Sequence, residues 1–154
     1  MTCVVKVKKT HPDAKMPTQE KGDVGWDLFA IQSGVIAPST TGMIHTGLTL
    51  AETPIETDPY KQVLIKVEGR SGLALKKSVF PVGGIVDPYY RGELCALLYN
   101  AGKEDFLYEA GDRVAQIVLY PVHARALSNG TKFVESDVVH TTGRGTKGFG
   151  SSGK

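Results

Sequence analysis

Short runs of β-branched, aromatic and aliphatic residues recur along this chain, each closed within a few residues by Gly, Pro, Asn or Asp. Strands are predicted at residues 3–8, 25–30, 34–37, 42–50, 62–67, 84–87, 94–99, 113–120 and 132–134. They follow one another too closely for crossover helices, so the pattern favours an all-β sandwich, barrel or jelly roll over a βαβ fold. One helix has room to form, at residues 73–77, with Ser71 placed to cap it. There is no repeat and no internal linker. Apolar content thins from Val122, and after Val139 nothing could build a core. Residues 1–139 are therefore expected to form a single β domain and residues 140–154 a flexible arm.

Composition narrows the functional classes. A chain of 154 residues is long enough to bury one core, and 41% apolar with 22% charged content is ordinary for a globular protein. A net charge of +2 gives no bulk attraction to nucleic acid or to a membrane surface. No stretch approaches the roughly 18 apolar residues of a membrane span, and the opening MTCVVKVKK lacks an apolar signal core. Cys3 and Cys95 both lie in strand-like runs, which suits buried free thiols in a reducing compartment. A soluble intracellular protein without nucleic-acid or membrane partners is expected.

The closing stretch RGTKGFGSSGK has most of a P-loop in Gly148 and Gly153-Lys154. A P-loop needs a helix after it and a hydroxyl after its Lys, and neither follows Lys154 here. A Gly/Ser-rich tail is the plain alternative. Arg144, Lys147, Phe149, Ser151 and Ser152 among the glycines also suit an arm that closes on a nucleotide.

Upstream, four segments carry chemistry. Gly69-Arg70-Ser71-Gly72 ends a strand and precedes the short helix, so it is either a capped turn or an anion site with guanidinium, hydroxyl and free amides. Gly83-Gly84-Ile85-Val86-Asp87-Pro88-Tyr89-Tyr90-Arg91-Gly92 resembles a hairpin tip. Its glycines permit close approach to the backbone around Gly84 and Ile85, Tyr90 could stack on a sugar, and Asp87 could act as a general base; a simple turn explains it equally. Alternation along residues 113–120 sets Gln116 on one face with Val114 and Val118, so this polar group needs a partner or a ligand. Asp27, between Trp26 and Leu28, poses the same problem with a charge. His11, His45, His123 and His140 lack metal-ligand spacing, and neither cysteine belongs to a CxxC pair.

In order and together, five segments resemble the motifs of the trimeric dUTP pyrophosphatases, or dUTPases. They are Gly25-Trp26-Asp27-Leu28, Gly69-Arg70-Ser71-Gly72-Leu73-Ala74, the hairpin from Gly84 to Gly92, Gly111-Asp112-Arg113-Val114-Ala115-Gln116, and the arm from Arg144 to Gly153. The resemblance implies a distorted jelly-roll-like barrel, a homotrimer with sites shared between subunits, and Mg²⁺-assisted hydrolysis of dUTP to dUMP and pyrophosphate. Asp87 would activate the water that attacks the α-phosphorus, and Tyr90 would pack under the deoxyribose. The backbone at Gly84 and Ile85 would pair with uracil. Arg70, Ser71, Gly72 and Gln116 would hold phosphates, and Asp27 would support the metal through water, with the triphosphate as main ligand. From a neighbouring subunit, Phe149 would stack on uracil while Arg144, Gly150, Ser151 and Ser152 close over the phosphates. Two positions depart from the family pattern: Trp26 replaces a usual Tyr, and Pro88-Tyr89 replaces a polar and acidic pair.

Two other functions are compatible with such a chain. A dCTP deaminase of the same fold family carries a catalytic Glu where this sequence has Leu97. A non-catalytic sensor that grips dUTP and signals to a partner would retain the binding residues without needing Asp87.

Overall fold

A computed structural model describes residues 4–53, 63–122, 134–136 and 138. Eleven strands are formed: β1 (Lys6–Lys9), β2 (Trp26–Phe29), β3 (Gly34–Ile36), β4 (Thr41–Ile44), β5 (Leu48–Glu52), β6 (Val63–Glu68), β7 (Val79–Pro81), β8 (Ile85–Val86), β9 (Ala96–Asn100), β10 (Phe106–Tyr108) and β11 (Arg113–Pro121). One helix, α1 (Ser71–Lys77), joins β6 to β7. Strand order is β2-β11-β6-β8 in the largest sheet and β4-β9-β7 in the next, with β1-β5 and β10-β3 as two-stranded ribbons. Every pairing is antiparallel. Among the described residues no sheet closes on itself, so the expected barrel is an open, jelly-roll-like stack.

One apolar cluster holds these sheets together. Leu28, Ile44, Leu48, Leu50, Ile65, Leu94 and Leu98 are all at most 1% exposed. Burying each aliphatic side chain of this size contributes about 1.5–3 kcal/mol. Thr46 and Asn100 are polar exceptions at full burial, and both the nitrogen and the oxygen of the Asn100 amide are hydrogen-bonded. Asn100 Nδ2 donates to Ile36 O and Glu104 O, and its Oδ1 accepts from Gly102 N, tying β9 to β3 and to the following loop. Among the described residues no helix is long and apolar enough to cross a membrane.

Several elements differ from the sequence expectation. The run predicted at 42–50 is two strands, because Gly47 adopts φ 66° and the amides of Thr46 and Gly47 donate to Glu93 Oε1 instead of continuing a ladder. The chain thereby leaves the β4 sheet and β5 pairs with β1. Ser71 is the first helical residue of α1, not its cap; the cap position belongs to Arg70, at φ −102° and ψ 128°, without a side-chain capping bond. The Arg70 side chain is engaged elsewhere, as shown below. β7 and β10 were not predicted, and of the run at 132–134 only Val134 lies among the described residues, outside any strand. The arm at 140–154 also lies outside them.

Candidate active site

The register of the large sheet assembles a polar row. Gln116 on β11 stands opposite Asp27 on β2 and opposite Glu68 on β6, so the three side chains share one face as cross-strand neighbours. A cleft of about 600 Å³ opens over this row and is lined also by Gly69, Arg70, Ser71 and Gly72 where β6 runs into α1. The alternation expected along β11 holds for Gln116 and Val118 but not for Val114, which is 1% exposed in the core. A register shift between Arg113 and Ala115 rotates the strand there.

Each polar group in this row has an identifiable partner. Gln116 Nε2 donates to Gly69 O at 2.7 Å, and this bond fixes the carboxamide at the mouth of the β6–α1 turn. Asp27 sits between two guanidiniums, with Oδ1 3.4 Å from Arg70 Nε and Oδ2 3.3 Å from Arg113 Nη1. Arg70 Nη1 also donates to Arg113 O at 2.9 Å. The charge placed next to Leu28 is thus paired along the cleft wall and not buried alone. Such half-exposed pairs add at most about 1 kcal/mol of stability, so their consequence is the fixed direction of Arg70. The first N–H groups of α1, on Ser71 and Gly72, have no intrahelical acceptor. A β-carbon at Gly72 would meet nothing within 4 Å. Glycine there leaves space open beside the amides.

Carboxylates outnumber cations in this cleft. Glu20, Asp23, Asp27 and Glu68 line it against Arg70 and Arg113. Glu68 is neutralised from outside by Lys66 at 2.6 Å. Thr18 brings the acidic loop here by pairing with Asp27 in an isolated bridge. Hard oxygen donors suit Mg²⁺ over softer ions, but among the described residues no three of these carboxylates bring their oxygens together as a ready-made cage, and both oxygens of Asp27 face guanidiniums, which favours an outer contact through water over direct ligation.

A second cleft, of about 360 Å³, lies under the hairpin and is lined by Val67, Gly84, Ile85, Asp87, Tyr90 and Leu97 among others. Gly84 adopts φ 101°, and a β-carbon there would stand 2.3 Å from Val67 O. Its own carbonyl accepts from Val67 N at 2.7 Å, so the hairpin is pinned to β6 through backbone alone. Tyr90 N donates to Asp87 O at 2.9 Å and closes the turn, and Arg91 Nη1 clamps it from Pro88 O and Tyr90 O. The Tyr90 ring lies over Gly92, where a β-carbon would collide with it at 2.2 Å, and its hydroxyl donates to Glu93 O. Asp87 is exposed, and among the described residues its carboxylate has no hydrogen-bond or ion-pair partner.

Behind the hairpin cleft His45, Glu93 and Cys95 meet. His45 Nδ1 donates to Glu93 Oε2 at 2.7 Å, and Cys95 Sγ lies 3.7 Å from the same nitrogen. Burial works to raise the Glu93 carboxyl, but the His45 hydrogen bond and the amides of Gly47 and Thr46 outweigh it and hold the group below its ordinary value. Burial, followed by the charge of Glu93, pushes the Cys95 thiol up to about 11.

The structure therefore brings Asp27, Arg70, Ser71, Gly72 and Gln116 to one cleft and Gly84, Ile85, Asp87 and Tyr90 to another. The two clefts share no lining residue. Arg144, Phe149, Gly150, Ser151 and Ser152 lie outside the described residues. Sequence reasoning missed Glu68, Arg113, Glu20 and Asp23 as members of the first cleft. Alternation sets Arg113 on the face opposite Gln116, and only the register shift between Arg113 and Ala115 brings it to the same cleft. Nothing local marks Glu20 and Asp23.

Known proteins resemble this chain over nearly its whole length. A family model described as dUTPase matches residues 13–153. The deoxyuridine 5'-triphosphate nucleotidohydrolase of Picosynechococcus sp. is 41% identical over 152 residues, covering 97% of this chain and 98% of its own. That of Clostridioides difficile is 39% identical over 152 residues, covering 97% of each. In fold, a mutant of the Staphylococcus bacteriophage 80alpha dUTPase solved with dUpNHpp superposes with a TM-score of 0.76 at 24% identity, covering 99% of this chain and 100% of its own. A mutant of the phage phi11 dUTPase of S. aureus, in which a structural Mg(II) ion is coordinated, gives a TM-score of 0.71 at 18% identity, covering 90% and 99%.

Proposed function

Because this chain belongs to the dUTPase family, we propose that it is a soluble, intracellular dUTP diphosphatase, releasing dUMP and pyrophosphate, and that it works as a homotrimer with each site built from more than one chain. The observation that carries this reading is the division of the site residues between two clefts: one chain offers a phosphate grip around Arg70 and Gln116 and, separately, a nucleoside cleft holding Asp87 and Tyr90. Joining the phosphate grip of one copy to the nucleoside cleft of another completes a site.

In such a site the edge of β8 at Ile85, unpaired among the described residues, receives the Watson–Crick edge of uracil together with the backbone of Gly84. Tyr90, held by Gly92 and Glu93 O, supports the deoxyribose and crowds a 2′-hydroxyl. The Asp87 carboxylate accepts a proton from water, whose oxygen attacks the α-phosphorus while the bond to the bridging oxygen breaks and pyrophosphate leaves. Arg70 and the free amides of Ser71 and Gly72 bind phosphate oxygens, and Gln116 adds a side-chain contact. The carboxylates around Asp27 leave the first cleft short of positive charge for a triphosphate. Mg²⁺ supplies that charge when bound, with Asp27 touching its water shell. Residues 140–154, which lie outside the described residues, would supply Phe149 to the base and Arg144, Gly150, Ser151 and Ser152 to the phosphates of a neighbouring subunit's site. Leu97 occupies the position at which a deaminase of this fold requires a carboxyl group.

Pyrophosphate release should be measured side by side with dUTP, dCTP, dTTP and UTP, and dUTP alone should be turned over rapidly. Asp87→Asn should lower turnover by roughly 10²–10⁴-fold while dUTP affinity stays within a few-fold. Undiminished turnover in that variant would remove Asp87 from the role of base.

A further inference from the structure

The sequence gives no metal-ligand spacing to His45, Glu93 or Cys95, but the sheet register does. Ile44 pairs with Ala96 across β4 and β9, so the next residues outward, His45 and Cys95, face each other where the ladder ends. Glu93 is brought alongside by its isolated bridge to Thr49. Its Oε1 is consumed by the amides of Thr46 and Gly47, at 3.0 and 2.7 Å, which leaves Oε2 directed at His45. Among the described residues this is the one group in which a nitrogen, an oxygen and a sulfur ligand atom all lie within 4.8 Å of one another.

We propose that His45 Nδ1, Glu93 Oε2 and Cys95 Sγ form a binding site for one Zn²⁺ ion at the wall of the hairpin cleft. The mixed donor set selects a borderline-soft cation that favours tetrahedral coordination, and the thiol and imidazole select against Mg²⁺. Three protein ligands leave one coordination position open, and Glu93 and Cys95 themselves line the hairpin cleft on which it borders. On binding, the imidazole proton resides on Nε2 and the Cys95 thiol releases its proton to solvent. The triad is held before the ion arrives, because two backbone amides already orient Glu93. The cation site does not depend on which nucleotide the cleft takes.

The test uses the full chain, freed of metal by chelation and titrated with Co²⁺ as a spectroscopic stand-in for Zn²⁺. A thiolate-to-cobalt absorption should grow to saturation at one Co²⁺ per chain, persist in excess Mg²⁺, and disappear when one equivalent of Zn²⁺ is added. Cys95→Ser should abolish the absorption, and His45→Gln should weaken Zn²⁺ binding by roughly tenfold or more, with far-ultraviolet circular dichroism unchanged in both. No cobalt–thiolate absorption in the wild-type chain would overturn the proposal. So would absorption that survives Cys95→Ser, which would belong to Cys3, or Zn²⁺ affinity unaffected by His45→Gln.

Discussion

At residue 25 a β-carbon would stand 2.0 Å from Gln116 Oε1 and 3.2 Å from Gln116 Cβ. The carboxamide cannot simply swing away, because its Nε2 is bonded to Gly69 O on the other side. Gly25→Ala should therefore displace Gln116 from the phosphate cleft at a cost of about 1–3 kcal/mol. The expected outcome is a rise in KM for the nucleotide of roughly tenfold together with a melting temperature lowered by several degrees; steady-state kinetics beside thermal unfolding checks it. An unaltered KM would mean that the position of Gln116 is irrelevant to binding. Reading the chain alone was enough to see that Asp27 and Gln116 needed partners, since each is polar on a strand that is otherwise apolar. Which partners they take was not visible. Gly69 O is 47 residues from Gln116, and Arg113 is 86 residues from Asp27, so only strand register reveals them.

Among the elements, β8 shows how little structure holds the surface proposed to meet the base. It pairs with β6 at Ile65 and Lys66 alone, and Gly84 extends the contact through Val67. Gly84→Ala combines a φ of 101° with a collision against backbone, which no side-chain movement can relieve. That strain should cost about 1–3 kcal/mol locally and lift the hairpin from β6. Amide hydrogen exchange should report lost protection at Val67 N–H while β9 and β11 keep theirs, and dUTP turnover should fall steeply. Protection at Val67 equal to that of the native chain would contradict the pinning. The hairpin itself was legible, because Gly-Gly and Asp-Pro bracket two apolar residues. Its neighbours were less so. β7 and β10 span three residues each, too short for an alternating pattern, and β7 ends in Pro81. The break between β4 and β5 hides in an apolar run because its cause, the Glu93 carboxylate, lies far along the chain.

For the whole molecule, the separation of the two clefts makes assembly part of catalysis in the function proposed above. Co-expression of Asp87→Asn and Arg70→Ala chains carrying different tags should yield mixed oligomers in which some sites take Arg70 from one chain and Asp87 from the other. An equal mixture should regain activity at about one site in four, although each variant alone is nearly inactive. Failure of the purified mixed species to exceed its parents would place both groups in a site made by a single chain. The proposed need for a partner was implied in the sequence only by resemblance, since nothing in the spacing of the motifs says that two of them point into different clefts.

The brevity of β8 has a consequence beyond recognition. Among the described residues it is the outermost strand of its sheet, and Ile85 stands 66% exposed with no strand paired to its outer edge. An open edge of ordinary length is a template on which other chains add strands and aggregate. Here the edge is two residues long, preceded by two glycines at positive φ and followed within two residues by Pro88, which has no N–H to give. The donors and acceptors left free are enough to meet the edge of one pyrimidine and too few to recruit a neighbouring polypeptide.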